Sequence, residues 1–223
     1  MSLPRLALAV VVALTSLAGL GGASLAAPSP DDDLGRYGLD GVSREIDPKK
    51  KPSCPDLDFV TYRGTSIPYD KPAKTYVGFA PRLAAFEEVA RRVAVEVYGR
   101  APRRLRHLGV YNCRRIGGYP NLLSEHGLMN GIDVAGFELP ALKKGEKAPA
   151  DLPKRLRRAF TVTVKDHWSA TGAVGSVHSR FLHRLTEELV ARPDIFRVML
   201  GPAYPGHKDH FHFDCAPYRL IDL

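Results

Sequence analysis

Cysteine is scarce in this chain, with only Cys54, Cys113 and Cys215 in 223 residues. None of the three has an activating histidine arrangement near it, which argues against a thiol nucleophile. The odd count fits an oxidising compartment, with one disulfide and one thiol left over. Spacing does not choose among the three possible pairs; Cys54–Cys215, which would tie the start of the folded domain to its end, is the expectation. Long apolar runs are missing beyond about Leu20, so the remainder contains no segment able to cross a membrane. Internal repeats are missing too. Acidic residues are in deficit, 24 against 32 lysines and arginines, for a net charge of +8 at pH 7. In a cytoplasmic protein that balance suggests nucleic acid, but no base-reading motif is present and the N-terminus points to export. Anionic cell wall or lipid head groups are the fitting counterparts, and no nucleic-acid partner is expected.

The N-terminus begins MSLPR, continues through an apolar run from Leu6 to about Leu20 and ends in small residues at Gly22, Ala23, Ser24, Ala26 and Ala27. This is the basic, apolar, small-residue order of a secretory signal peptide, expected to span 1–26, with Ser24 and Ala26 at the small-residue positions of the cleavage site. An uncleaved signal anchor is the alternative. No cysteine follows the run, which argues against a lipoprotein anchor. An exported protein of the periplasm or cell envelope, monomeric and without a stable membrane span after cleavage, is the expectation. Residues 27–53 are polar, proline-bearing and charged in blocks, and read as a flexible linker; one folded domain is expected over 54–223.

Within that domain, Leu83, Phe86, Val89, Ala90, Val93 and Val97 recur at helical spacing, with Glu87, Glu88, Arg91 and Arg92 on the other side, so 80–98 is expected to be an amphipathic helix ended by Gly99. A second helix is expected over about 177–191, with Phe181, Leu182, Leu185 and Leu189 inward and Pro193 stopping it. His178 and His183 on it read as surface residues. Short strand-like runs lie at 107–112, 131–137, 160–165, 196–200 and 210–214. The fold class that follows is α+β, a mainly antiparallel sheet with flanking helices. Lys143, Lys144, Lys147, Lys154, Arg155, Arg157 and Arg158 mark 138–158 as an exposed basic excursion between two strands, with a short helix after Asp151.

The chemistry concentrates in two blocks, GHKDHFHFD at 206–214 and SEHGLMNGID at 124–133. In a strand, side chains alternate, so His210, His212 and Asp214 share one face while Phe211 and Phe213 anchor the other. In the earlier block Ile132, Val134 and Phe137 read as core, and Gly127, Asn130 and Gly131 as a turn that brings His126 and Asp133 together. Imidazole and carboxylate are the ligands zinc takes when one coordination position is kept for water, so His126 and Asp133 with one histidine of the strand make a candidate three-ligand zinc site. His107, His167 and the single tryptophan, Trp168, carry no paired signal and read as packing or surface residues.

The stretch YNCRRIGGYPNLLSEHGLMNGIDVAGFEL, then VMLGP, then GHKDHFHFD, resembles the extensin-like C-terminal domain of bacterial envelope proteins, over about residues 98–214. That family in turn resembles the LAS metallopeptidases (lysostaphin, D-Ala-D-Ala metallopeptidase and sonic hedgehog-like proteins). The resemblance implies a LAS/hedgehog-like zinc peptidase core in which His126, Asp133 and His212 hold one Zn2+ per chain. Met129 and Gly131 stand where the D-Ala-D-Ala group has glycine and alanine. The resemblance also places His207 where murein endopeptidases carry a further histidine, and Asp209 where D-Ala-D-Ala dipeptidases carry a catalytic glutamate. His210, on the face of His212, is the preferred proton carrier and Asp209 the alternative. Arg114 is a candidate for binding a substrate carboxylate or polarising a scissile carbonyl, and Ser124 for holding a peptide terminus or capping the turn. The expected function is zinc-dependent hydrolysis of peptidoglycan peptides, of D,D-carboxypeptidase or endopeptidase type, and the alternative is a non-catalytic zinc-stabilised envelope module.

Overall fold

The computed structural model describes residues 37–223. The signal-peptide expectation and the first part of the expected linker lie outside the described residues. Strands β1 (Phe59–Tyr62) and β2 (Ala73–Tyr76) form an antiparallel pair ahead of helix α1 (Ala80–Tyr98). Strand β3 (Arg104–Gly109), the short hairpin β4 (Arg115–Ile116) and β5 (Tyr119–Leu123), and the nine-residue β6 (Gly131–Leu139) follow. Then come β7 (Phe160–Thr163), the one-turn α2 (Val164–His167), α3 (Gly172–Val190), and strands β8 (Val198–Leu200), β9 (Phe211–Asp214) and β10 (Leu220–Asp222). The main sheet runs β10-β8-β9-β6-β3, with β7 continuing along the β9 edge of β6; every pair is antiparallel except β10 with β8. Among the described residues no helix is long and apolar enough to cross a membrane.

Both long helices cover one face of this mixed α/β sheet. Helix α1 has a proline at its start, ends on Gly99 in the left-handed conformation (φ 73°), and buries Leu83, Phe86, Val89, Ala90, Val93 and Val97 as the periodicity requires. Glu87, assigned by its charge to the outer side, is fully buried. Its carboxylate accepts the N–H groups of Thr65, Ser66 and Ile67 and the Tyr62 hydroxyl, so it holds a loop that has no ladder of its own. Helix α3 begins five residues before the expected Val177, and His178 faces the core instead of solvent: it is 3 % exposed and bonded to Tyr98. Rings from both helices and the sheet meet in one cluster: Phe86 lies 6.4 Å from Phe137 and 5.8 Å from Phe213, and Phe137 lies 5.5 Å from Phe181.

Two expectations need correction. The segment from Tyr37 onward is part of the domain: Tyr37 and Leu39 lie in the core, Asp40 pairs with the buried Arg197, and Arg44 pairs with Glu125. Its charges looked like solvated linker because their partners lie more than 80 residues away. The disulfide is Cys54–Cys113, not Cys54–Cys215. Cys215 follows β9 into the core, where it is fully buried with its thiol on the Ile195 carbonyl at 3.3 Å; Cys54 instead sits beside Gly127, at the turn of the first motif block.

Candidate metal centre

Register places the first two site residues. Strands β6 and β9 pair so that Asp133 stands directly opposite His212, and Gly131 opposite Asp214. Ile132 and Val134 therefore share the helix-covered face with Phe213 and Phe211, and the opposite face presents Asp133 and His212 side by side. Gly131 is needed here: a Cβ on it would lie 3.2 Å from both the Asp214 Cβ and the His212 ring. His126 arrives on a single 3₁₀ turn, Glu125–Leu128, capped by Ser124 Oγ, which accepts the His126 N–H at 3.3 Å. The turn ends on Met129 in the left-handed conformation (φ 56°), an arrangement a side chain rarely adopts.

The three candidate ligand atoms converge. His126 Nε2 is 3.1 Å from Asp133 Oδ1 and 3.1 Å from His212 Nδ1, and His212 Nδ1 is 3.0 Å from Asp133 Oδ1. A tetrahedral zinc with bonds of about 2.0 Å spaces its ligand atoms about 3.3 Å apart, so this triangle needs only slight expansion to accept the ion. The far nitrogen of each ring is engaged. His126 Nδ1 donates to the Val110 carbonyl at 2.9 Å, which puts the ring's one proton there and leaves Nε2 with a lone pair. His212 Nε2 donates to Asp214 at 2.7 Å, and Asp214 is itself held by the Ala216 N–H at 2.8 Å. Three acceptors aimed at one point require a cation. Without a metal, a proton takes that place: burial works against it, yet Asp133 and Asp214 together push the His212 imidazole up to about 9. Burial likewise opposes ionisation of Asp133, but the imidazoles of His126 and His212 packed against it hold its carboxyl well below the usual carboxylate range. Among the described residues this is the one group of three such side chains spaced to hold a metal ion.

His210 and Asp209 are not alternatives in space but a pair. Strand β9 starts only at Phe211, so alternation does not turn Asp209 away. Asp209 Oδ1 lies 2.7 Å from His210 Nδ1, and the far side of that ring, Nε2, is 3.7 Å from Asp133 Oδ1. The bond from His210 holds the Asp209 carboxyl below its ordinary range. His207 sits beside them, 4.9 Å from the His210 ring and 5.8 Å from that of His212, with Nδ1 on the Pro205 carbonyl. All three ring groups open onto a cleft of about 590 Å3 whose walls include Arg114, Tyr119, Tyr204 and Tyr218. Ser124 also lines the cleft, with its hydroxyl committed to the cap. Arg115 is spent on the carbonyls of Pro120 and Asp47, whereas Arg114 makes no ion pair among the described residues.

The chain matches the family model described as extensin-like protein C-terminus over residues 39–222. It belongs to that family. The match begins at the buried Leu39, which agrees with the structural start of the domain rather than with a start near Cys54. No curated protein and no solved structure matches the chain.

Sequence reasoning left Asp214 on the ligand face without a role and overlooked the support beneath Glu125. There Arg44 reaches Glu125 at 2.8 Å, Asn130 donates to the same carboxylate at 2.5 Å, and the Tyr37 hydroxyl donates to Asn130. This buried chain of polar contacts fixes both ends of the turn that carries His126. The HxHxD spacing at 210–214 was the available signal for Asp214; the Val110 carbonyl and the Arg44 contact had none.

Proposed function

We propose that this extensin-like domain is a zinc-dependent peptidase that hydrolyses peptide bonds of bacterial peptidoglycan in the periplasm or cell envelope. The observation that carries the reading is the convergence of His126 Nε2, Asp133 Oδ1 and His212 Nδ1 at 3.0–3.1 Å, with Asp133 and His212 lining an open cleft and His126 behind them. Three protein ligands with one side facing a cleft is the donor set of catalytic zinc, whereas structural sites are closed by a fourth ligand. The likeness of both motif blocks to LAS-type peptidases supports the same assignment. When bound, the ion supplies Lewis acidity and activates water at neutral pH.

The remaining residues supply orientation and proton transfer. Asp209 accepts from His210 Nδ1, which leaves Nε2 turned towards the ligand cluster as the atom that takes a proton from the attacking water and returns it to the leaving amine. His207, whose imidazole burial pulls below its ordinary range, keeps its one proton on Nδ1 for the Pro205 carbonyl, so its Nε2 serves as an acceptor for an N–H of the bound peptide. Arg114, on the cleft wall, fits a carboxylate of the stem peptide.

The deciding experiment incubates the purified chain with sacculi and defined muropeptides, with and without chelator, and analyses the products by mass. Loss of a terminal D-Ala means carboxypeptidase, and cleaved dimers mean endopeptidase. Hydrolysis that survives complete metal removal rejects the zinc mechanism, and zinc binding with no product from either substrate makes the domain a non-catalytic envelope module.

A further inference from the structure

A second cavity, of about 550 Å3, opens where the basic excursion after β6 meets α2 and the start of α3, and it shares no lining residue with the metal cleft. Its polar lining is Arg155, Arg158, Thr161, Asp166, His167 and His178. The two arginines against the single carboxylate leave one positive charge in excess. Asp166 is already engaged by the Thr163 hydroxyl at 2.8 Å. Gly175 and Val174, from the first turn of the 19-residue α3, complete the wall; the helix start carries no side-chain cap and no acidic residue in its first turn.

The imidazoles decide what kind of ligand fits. The backbone N–H of Thr163 donates to His167 Nδ1 at 3.1 Å, so that ring's proton is on Nε2. His178 is 3 % exposed and has Nδ1 3.0 Å from the Tyr98 hydroxyl. Tyr98 is fully buried, burial pushes its hydroxyl above the ordinary range, and its proton has no other acceptor among the described residues, so it donates to His178. The His178 proton is therefore also on Nε2, an atom without a protein partner among the described residues, on a ring that lines the cavity. Both rings, 4.5 Å apart, offer donors and no lone pair. That excludes a metal as the natural occupant and selects an anion.

The arginine-bearing loop is built into the fold. The buried Arg100 guanidinium binds the carbonyls of Tyr98, Pro140, Leu156 and Arg158, at 2.5–3.1 Å, and so pins the backbone on which Arg155 and Arg158 stand. We propose that this cavity binds a phosphoryl group, with Arg155, Arg158, the Nε2–H groups of His167 and His178 and the α3 N-terminus as donors. A tetrahedral oxyanion with several acceptor oxygens uses donors arriving from three sides, as a planar carboxylate does not. The volume leaves room for the organic part of a phosphate ester. Lipid headgroups and soluble phosphates share this chemistry.

Calorimetric titration of the purified zinc-loaded chain with inorganic phosphate, at fixed ionic strength, tests the site. Saturable binding should persist after chelation and weaken about tenfold or more in Arg155→Gln/Arg158→Gln and in His178→Phe. Removing the same charge with Lys143→Gln/Lys144→Gln should change it less than about twofold, since those lysines do not line the cavity. Absence of binding, loss on chelation, an unchanged affinity in the arginine variant, or an equal loss in the lysine variant each overturns the proposal. The two arginines are exposed, so their variant folds even where His178→Phe does not. Vesicles of phosphatidylglycerol and of phosphatidylcholine separate the sources: sedimentation with the anionic vesicles that phosphate displaces assigns a lipid headgroup, and phosphate binding without sedimentation assigns a soluble ester.

Discussion

Asp214→Asn separates the metal centre from the proton carrier. Asp214 Oδ2 accepts from His212 Nε2 at 2.7 Å inside the protein, and its other oxygen accepts from the Ala216 N–H. Asparagine keeps the shape and one acceptor oxygen but removes the charge that, under the proposed zinc reading, makes His212 a better donor. Loss of such a partner weakens metal binding by about 10- to 100-fold, or about 1.4–2.7 kcal/mol. With the amide oxygen on His212, the NH2 meets the Ala216 N–H, so the fold should also lose about 1–3 kcal/mol for that unmade bond. Asp209→Asn makes the contrast: Asp209 touches His210 and no ligand, so zinc affinity should stay within about twofold while turnover falls by about tenfold or more. Competition against a chromophoric chelator measures affinity, and product mass analysis at saturating zinc measures turnover. If Asp214→Asn binds zinc as tightly as the unaltered chain while His212→Ala does not bind it, the orienting role of Asp214 is wrong. If Asp209→Asn loses zinc, the division between ligands and proton carrier is wrong.

Three further outcomes are expected. Cys54→Ser should lower stability by about 4 kcal/mol, the loop-closure value for a crosslink 59 residues apart, measured by denaturant unfolding, whereas Cys215→Ser should remove no crosslink and leave one disulfide by mass; a reduced wild type as stable as the oxidised would refute this. Burial, with His167 next to it, pulls His178 down to about 4, below its unfolded value of about 6.5. The unfolded chain thus takes up a proton that the folded chain refuses, and stability present above about pH 6.5 is lost as pH falls towards 4, by up to about 3 kcal/mol, a slope that His178→Gln should flatten in urea titrations. Asp40→Ala strands the fully buried Arg197 guanidinium and should cost about 3 kcal/mol of unfolding free energy; a loss under about 0.5 kcal/mol would show that the N-terminal segment does not anchor the domain.

What could be read from the sequence follows from range. Helix α1 was legible because its period of 3.6 is written within 19 residues, and the ligand face of β9 because alternation needs only five. The pairing of Asp133 with His212 depends on register across 79 residues, and only the joint presence of both motif blocks hinted at it. Contacts such as Arg44 with Glu125 and Asp40 with Arg197 leave no local trace: each charge, read alone, looks solvated. The disulfide failed for the same reason, since three cysteines permit three pairs and only the course of the chain past Gly127 selects one.

One strand reconciles the site with the core. Had β6 kept a strict two-residue alternation, Asp133, Phe137 and Leu139 would all point to the cleft face. The pairing with β3 slips instead: Arg106 faces Gly136 and His107 faces Val134, which leaves Ala135 as an extra residue. The slip reverses the phase, so Ile132 and Val134 before it and Phe137 and Leu139 after it all reach the core. Gly136 makes the bulge possible, because a Cβ there would lie 2.2 Å from the Val162 carbonyl on β7. Asp133 is thus released to the cleft without costing the sheet its helix-covered face, and the first half of β6 is left free to pair with β9, which brings His212. The bulge is therefore a condition of the candidate metal centre, although it touches none of its three side chains.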